Sequence, residues 1–259
     1  MTTPITHPPK LADDAVALID SDVFCVSAAA VSESEGESPD ECVERFMGMI
    51  RLACAELRAR PLLCLGTSRT FRHEIYADYK KGRPDKPNKA GRDAIRKAIP
   101  LNYEVAQGDN CETDDVLAAI QGTLSATTII VTNDKDLDQI AGWHFNPMGK
   151  HRHKWAYPVS DEQAYEWFLI QWLTGDRTDN IPGIKGVGPA KARKIIDGGA
   201  TLEEIRAMVD ESEDVAKAGL DADATAALLK MDTDCKYTIT DPLVAEAVQE
   251  YGDVEAVPY

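Results

Sequence analysis

The chain has 259 residues, a hydrophobic fraction of 44% and a formal net charge of −16. That length supports one large domain or two modest ones. It holds no run of ~18 apolar residues that would span a bilayer, and the N-terminus, MTTPITHPPK, lacks the apolar stretch of a secretory leader, so a cytoplasmic protein away from membranes is expected. The six cysteines, at 25, 42, 54, 64, 111 and 235, include no CxxC pair; they read as reduced thiols, with neither a disulfide framework nor a zinc site.

In chain order, the apolar run AVALI at 15–19 predicts a buried strand ending at Asp20. VSESEGESPD reads as a polar loop. Ser38 and Pro39 open a helix whose apolar stripe runs through Val43, Phe46, Met47, Ile50, Cys54 and Leu57. Residues 62–65 form a second strand. The Gly-, Pro- and Lys-rich stretch 72–91 reads as an exposed loop or arch, followed by a helix over 93–99, a strand over 103–106 and a helix over 114–121. TTIIV at 127–131 is the clearest buried strand, followed by a short helix over 136–140. Residues 143–146 and 154–157 flank Pro147-Met148-Gly149 as a hairpin. Ser160 caps a helix to about 174, a second helix spans 189–197, and Thr201 with Glu204 caps a third. Strands alternating with helices predict an α/β fold with a mostly parallel sheet, over 12–159. The remainder, 160–259, reads as an all-helical lobe.

Acids gather where strands end. Asp20 closes the first strand. Glu112, Asp114 and Asp115 follow the third, and Asp134 and Asp136 follow TTIIV; Asp176 and Asp179 lie in the helical lobe. Singly, each pair reads equally as a helix cap or an Asx turn. Function in open α/β sheets gathers beyond the carboxyl ends of the strands, and this many converging carboxylates would repel one another in a low dielectric. Mg²⁺ or Mn²⁺ resolves the conflict, because hard cations take oxygen ligands and two such ions clamp a phosphoryl displacement.

Charge is distributed unevenly. Net acidity argues against a phosphate-rich partner, yet the window 69–97 carries ten Lys or Arg against four acids. Within it, FRHEIYADYKKGRP interleaves aromatics and cations. Tyr79 is placed to stack on a base, Lys80 and Arg83 to hold a phosphate under attack, and Arg72 and Lys81 to contact backbone phosphates; a solvated basic loop is the plainer alternative. IPGIKGVGPAKA, at 181–192, joins two helices. Its glycines Gly183, Gly186 and Gly188 permit a tight turn with outward N–H groups, and Lys185 and Lys191 add charge. This is the pattern of a helix-hairpin-helix that grips duplex backbone over about 175–197, against the alternative of a purely structural αα-hairpin.

Together the segments ALIDSD, FRHEIYADYKKGRP, ETDD, TNDKDLDQI and LTGDRTDNIPGIKGVGPAKARKI, in this order over 16–206, resemble the 5′→3′ exonuclease and flap endonuclease family. That family includes the N-terminal nuclease domain of bacterial DNA polymerase I and small stand-alone phage enzymes. The resemblance implies a PIN-like nuclease fold and two divalent ions. One is held by a group including Asp20, Glu112 and Asp114, the other by Asp134, Asp136, Asp176 and Asp179, with Asp115 matching a further acid. It implies catalytic roles for Tyr79, Lys80 and Arg83, and a K⁺ ion on the hairpin's carbonyls. The expected partner is DNA with a 5′ end or flap, or an RNA–DNA hybrid, bound by a free-standing, phage-like monomer. The chain departs from the family after the second strand, where Thr67 stands in place of an acid. That departure motivates an alternative reading as a DNA-binding protein with weak or lost catalysis; a nuclease acting chiefly on RNA is a third.

Overall fold

The computed structural model describes residues 15–121, 123–124, 127–148 and 155–240. The leader, most of the 147–154 connection and the chain beyond 240 lie outside them. Among the described residues, seven strands form one sheet: β1 (Val16–Asp20), β2 (Arg60–Leu65), β3 (Val105–Gly108), β4 (Thr128–Val131), β5 (Gly142–Phe145), β6 (Tyr157–Val159) and β7 (Tyr237–Thr240), in the order β6-β5-β4-β1-β2-β3-β7. The five central strands run parallel, and β6 and β7 close the edges antiparallel. Alternate residues of β1 serve opposite faces. Ala17 and Ile19 pack with one core cluster, Val16 and Leu18 with the other. Burial on both faces explains why the strand reads as a continuous apolar run.

One face is covered by α1 (Ser21–Glu35), α2 (Pro39–Leu57) and α4 (Lys89–Asn102), through Phe24, Phe46, Ile50, Ile95 and Ile99. The other is covered by α5 (Thr113–Ile120), through Val116, Leu117 and Ile120. A short α3 (Arg72–Ile75) and a 3₁₀ turn (Lys135–Gln139) follow β2 and β4. Beyond the sheet lie α6 (Asp161–Thr174), α7 (Pro189–Asp197), α8 (Leu202–Asp210), α9 (Glu213–Lys217) and α10 (Ala222–Leu229), built around a third core that includes Tyr79. The capping boxes of Ser38, Ser160 and Thr201 start α2, α6 and α8.

Three expectations need correction. The VSESE stretch is helical. Phe24, Cys25, Ala28, Ala29 and Ser32 bury one face of α1, and Gly36, with φ 69°, ends it. The chain after 160 is not all helical, because β7 returns to pair with β3, with Ala106 opposite Ile239. That return also overturns the reading of six free thiols: Cys111 and Cys235, 124 residues apart, are joined as a disulfide, leaving Cys25, Cys42, Cys54 and Cys64 free. No described helix is long and apolar enough to cross a membrane.

Candidate active site

The sheet order reverses at β1. The next strands add on one side as β2 and β3, and β4 adds on the other. Ligand sites in such sheets lie beyond the carboxyl ends at this switch. There a cleft of about 1100 Å³ is lined by Asp20, Asp22, Glu112, Asp114, Asp134, Asp136, Asp176 and Asp179. The acids expected to converge from four chain segments do so, with the exception of Asp115.

Asp20 sits at the tip of β1 and is 1% exposed. Its carboxylate accepts from Thr132 Oγ1 at 2.7 Å and caps α1 by accepting from the Val23 N–H at 3.1 Å. Burial pushes this carboxyl up to about 7, with the charges of Asp22 and Asp134 adding to the push. Burial also holds Asp114 well above the usual carboxylate range, reinforced by Asp20, Glu112 and Asp134 and opposed by Lys80. Across the cleft Asp134 accepts from the Asp136 N–H at 2.9 Å, and Asp176 accepts from the Thr178 N–H at 2.7 Å. Burial, then the charges of Asp134 and Asp176, pushes Asp136 up to about 6. The cleft is thus crowded with oxygen donors that resist ionising together, a set that suits a hard divalent cation. No three described His, Cys, Asp or Glu side chains already enclose an ion position. Two of the expected ligands turn to cations instead: Lys80 Nζ donates to Glu112 at 2.6 Å, and Arg83 pairs with Asp179.

Lys80 and Arg83 stand where expected, beside the acids. The Lys80 backbone, at φ 59°, is clipped to the Asp179 carbonyl by a 2.9 Å hydrogen bond. Tyr79 is a correction. It is 4% exposed and packed in the third core, so its ring offers no face to a base. Its hydroxyl instead lies 2.9 Å from Asp179 and 3.2 Å from Glu112. Asp115 and Arg72 are corrected together. Arg72, expected on DNA, and Asp115, expected on metal, are 2% and 0% exposed and form a bidentate pair at 2.6 and 2.8 Å. Arg72 also donates to the Leu228 and Lys230 carbonyls. Asp115 also accepts from the Glu112 and Asp232 N–H groups. The pair is structural and bolts the start of α5 to α3 and α10. Lys81 is exposed and paired with Asp78 at 2.9 Å.

The hairpin between α6 and α7 is held by close backbone approach. A Cβ on Gly183 would stand 2.1 Å from Thr174 C, and Gly186 turns at φ 75°. Lys185, Gly186, Gly188 and Lys191 are exposed. The N–H groups of Lys185, Gly186 and Gly188 donate to no protein acceptor among the described residues. Three residues at the cleft carry little signal in the sequence: Thr132, which fixes Asp20, Thr113 and Asp22. The second acid of ALIDSD was the available signal for the last.

The family described as 5′-3′ exonuclease, N-terminal resolvase-like domain, matches residues 14–163, and 5′-3′ exonuclease, C-terminal SAM fold, matches residues 163–257. The chain belongs to the 5′-3′ exonuclease family. It is 31% identical over 188 residues to DNA polymerase I of Deinococcus radiodurans, covering 68% of this chain but 19% of that one. It is 30% identical over 196 residues to the 5′-3′ exonuclease of Aquifex aeolicus, covering 68% and 65%. The chain therefore spans about a fifth of its polymerase relative. Its fold is that of the bacteriophage T5 flap endonuclease in a complex with DNA and metal ions, at TM-score 0.63, 14% identity and coverage of 85% and 90%. The catalytic core of Rad2 with DNA substrate matches at TM-score 0.57, 12% identity and coverage of 91% and 86%.

Proposed function

We propose that this chain is a divalent-metal-dependent 5′→3′ nuclease that cuts DNA, or RNA paired to DNA, near a free 5′ end or a single-strand junction. The observation that carries this reading is the meeting of eight carboxylates from four chain segments in one cleft at the sheet's switch point, with Lys80 and Arg83 at its edge. Asp20, Glu112 and Asp114 would hold one ion. Asp134, Asp136, Asp176 and Asp179 would hold the other. Bound Mg²⁺ or Mn²⁺ would supply a water of lowered pKa and neutralise charge on the scissile phosphate. Lys80 and Arg83, now paired with Glu112 and Asp179, would be the cations placed to neutralise the phosphate once those carboxylates serve the ions. Thr132 and the Val23 N–H keep the Asp20 carboxylate aimed into the cleft. The Tyr79 hydroxyl would donate to Asp179, with Glu112 within reach of the same proton, and so help to position these two carboxylates.

The hairpin's free N–H groups, with Lys185 and Lys191, would hold the duplex backbone, a contact that reads no sequence; a K⁺ ion on its carbonyls is part of the same proposal. Substrates labelled at the 5′ or the 3′ end, as blunt duplex, 5′ flap, 3′ flap and RNA–DNA hybrid, test the polarity. Short 5′-labelled products are expected from every substrate with a 5′ end on the duplex or its flap, and no cut that releases the single-stranded 3′ flap. Products growing from the 3′ end, or tight binding of every substrate with none cut in Mg²⁺, would contradict it, the second result favouring a DNA-binding protein with lost catalysis.

A further inference from the structure

The cleft is lopsided in one respect. The β1, β3, β4 and α6–α7 sides each bring carboxylates, whereas the residues after β2 that line it are Gly66, Thr67, Ser68, Arg72 and His73, with no acid among them. Thr67 does not stand in for one. Its hydroxyl is engaged with the carbonyls of Arg69 at 2.8 Å and Cys111 at 3.2 Å. The chain passes so close here that a Cβ on Gly66 would stand 2.4 Å from the Thr113 N atom.

Asp22 fills that side. It lies in the first turn of α1, where an acid commonly answers the helix dipole. The free amides of that turn are served by another residue, however, since Asp20 accepts from the Val23 N–H. The Asp22 carboxylate reaches across the cleft instead. Oδ2 accepts from Thr113 Oγ1 at 3.0 Å, and the same Thr113 Oγ1 accepts from the Gly66 N–H at 2.9 Å. Asp22 is thereby tied, through one hydroxyl, to the carboxyl end of β2 and to the backbone between Glu112 and Asp114. Its other oxygen lies 3.4 Å from an Arg96 nitrogen, an exposed and loose pairing that a stronger cation can displace.

We propose that Asp22 supplies the carboxylate of the β2 side and acts on the same divalent ion as Asp20 and Asp114, so that the acid set is completed from α1. The inference rests on the metal-dependent reading above and assigns Asp22 a role in holding the ion.

The test is Mn²⁺ binding to the full chain without substrate, followed by electron paramagnetic resonance of free Mn²⁺, for the wild type, Asp22→Asn, Arg96→Gln and Asp134→Asn. The Asn side chain still accepts from Thr113, so Asp22→Asn removes the charge and keeps the hydrogen bond. The expected result is a loss of about 10–100-fold in affinity for Asp22→Asn, with its melting temperature in EDTA unchanged and Arg96→Gln binding at least as tightly as wild type. Unchanged Mn²⁺ affinity in Asp22→Asn, while Asp134→Asn weakens binding, would overturn the role of Asp22 and leave the metal-dependent reading standing. A wild type that binds no Mn²⁺ would overturn both. A melting temperature of Asp22→Asn that falls in EDTA, with equal loss of Mn²⁺ binding, would mark Asp22 as a folding residue and overturn the proposal.

Discussion

Replacing Arg72 by Met tests whether the basic segment after β2 is a DNA contact or a structural bolt. The guanidinium is 2% exposed and makes four hydrogen bonds, two to Asp115 and one each to the Leu228 and Lys230 carbonyls. Met fills similar space but leaves Asp115 buried without a counter-ion, and breaking one side of such a pair costs about 3–5 kcal/mol. For a chain near this size each kcal/mol lowers the melting temperature by about 2–4 °C, so a fall of about 6–20 °C is expected by scanning fluorimetry in EDTA. Asp115→Leu should lose a similar amount. The double variant should lose less than the sum of the two by roughly 2 kcal/mol or more, because the two charges depend on each other. Purely additive losses, or an Arg72→Met protein that melts like wild type and binds duplex less tightly with a reduced salt slope, would show that Arg72 is no structural bolt and return it to the DNA surface.

Other outcomes follow from the same geometry. The Asp20 carboxyl, raised to about 7 in the folded protein, contributes stability that is fully present below its ordinary value near 4 and is lost as pH rises through 7. In EDTA, the melting temperature of Asp20→Asn relative to wild type should therefore climb from pH 4 to pH 8; a flat difference would contradict the shift. Ligand carboxylates must be ionised, so Mn²⁺ affinity should rise as pH passes upward through 6 to 7, with protons released in calorimetry across buffers of different ionisation enthalpy. Lys80→Met should lower the single-turnover cleavage rate by about 10²–10³-fold, the loss typical of a removed charge-stabilising donor, while leaving duplex affinity within a few-fold. Lys185→Gln and Lys191→Gln should each weaken duplex binding on any sequence and reduce the slope of log K against log salt by about 1.

Much of this architecture was legible from residue order alone. Strands buried on both faces are apolar throughout, so β1, β2 and β4 announced themselves, and strand-end acids pointed to the cleft because a parallel sheet gathers its carboxyl ends. What escaped depends on distant partners. YTIT at β7 has no apolar run and becomes a strand only because β3 offers an open edge. Arg72 and Asp115 each look like surface charges, and only their meeting across 43 residues makes burial tolerable. Tyr79 follows the same logic, since a Lys-rich context suggests exposure while the third core takes in its ring. The VSESE tail of α1 is polar because every residue in it but Ser32 is exposed, while most of the buried face of the helix lies nearer Asp20.

Whether the carboxylate cleft cuts phosphodiesters with the help of divalent ions is decided by incubating a 5′-labelled flap and a blunt duplex with wild type and with Asp134→Asn, in Mg²⁺ and in EDTA. Wild type should give 5′ products in Mg²⁺ only, and Asp134→Asn should lose cutting while substrate binding remains. Cutting that persists in EDTA, or at full rate in Asp134→Asn, would contradict metal-dependent cutting in this cleft.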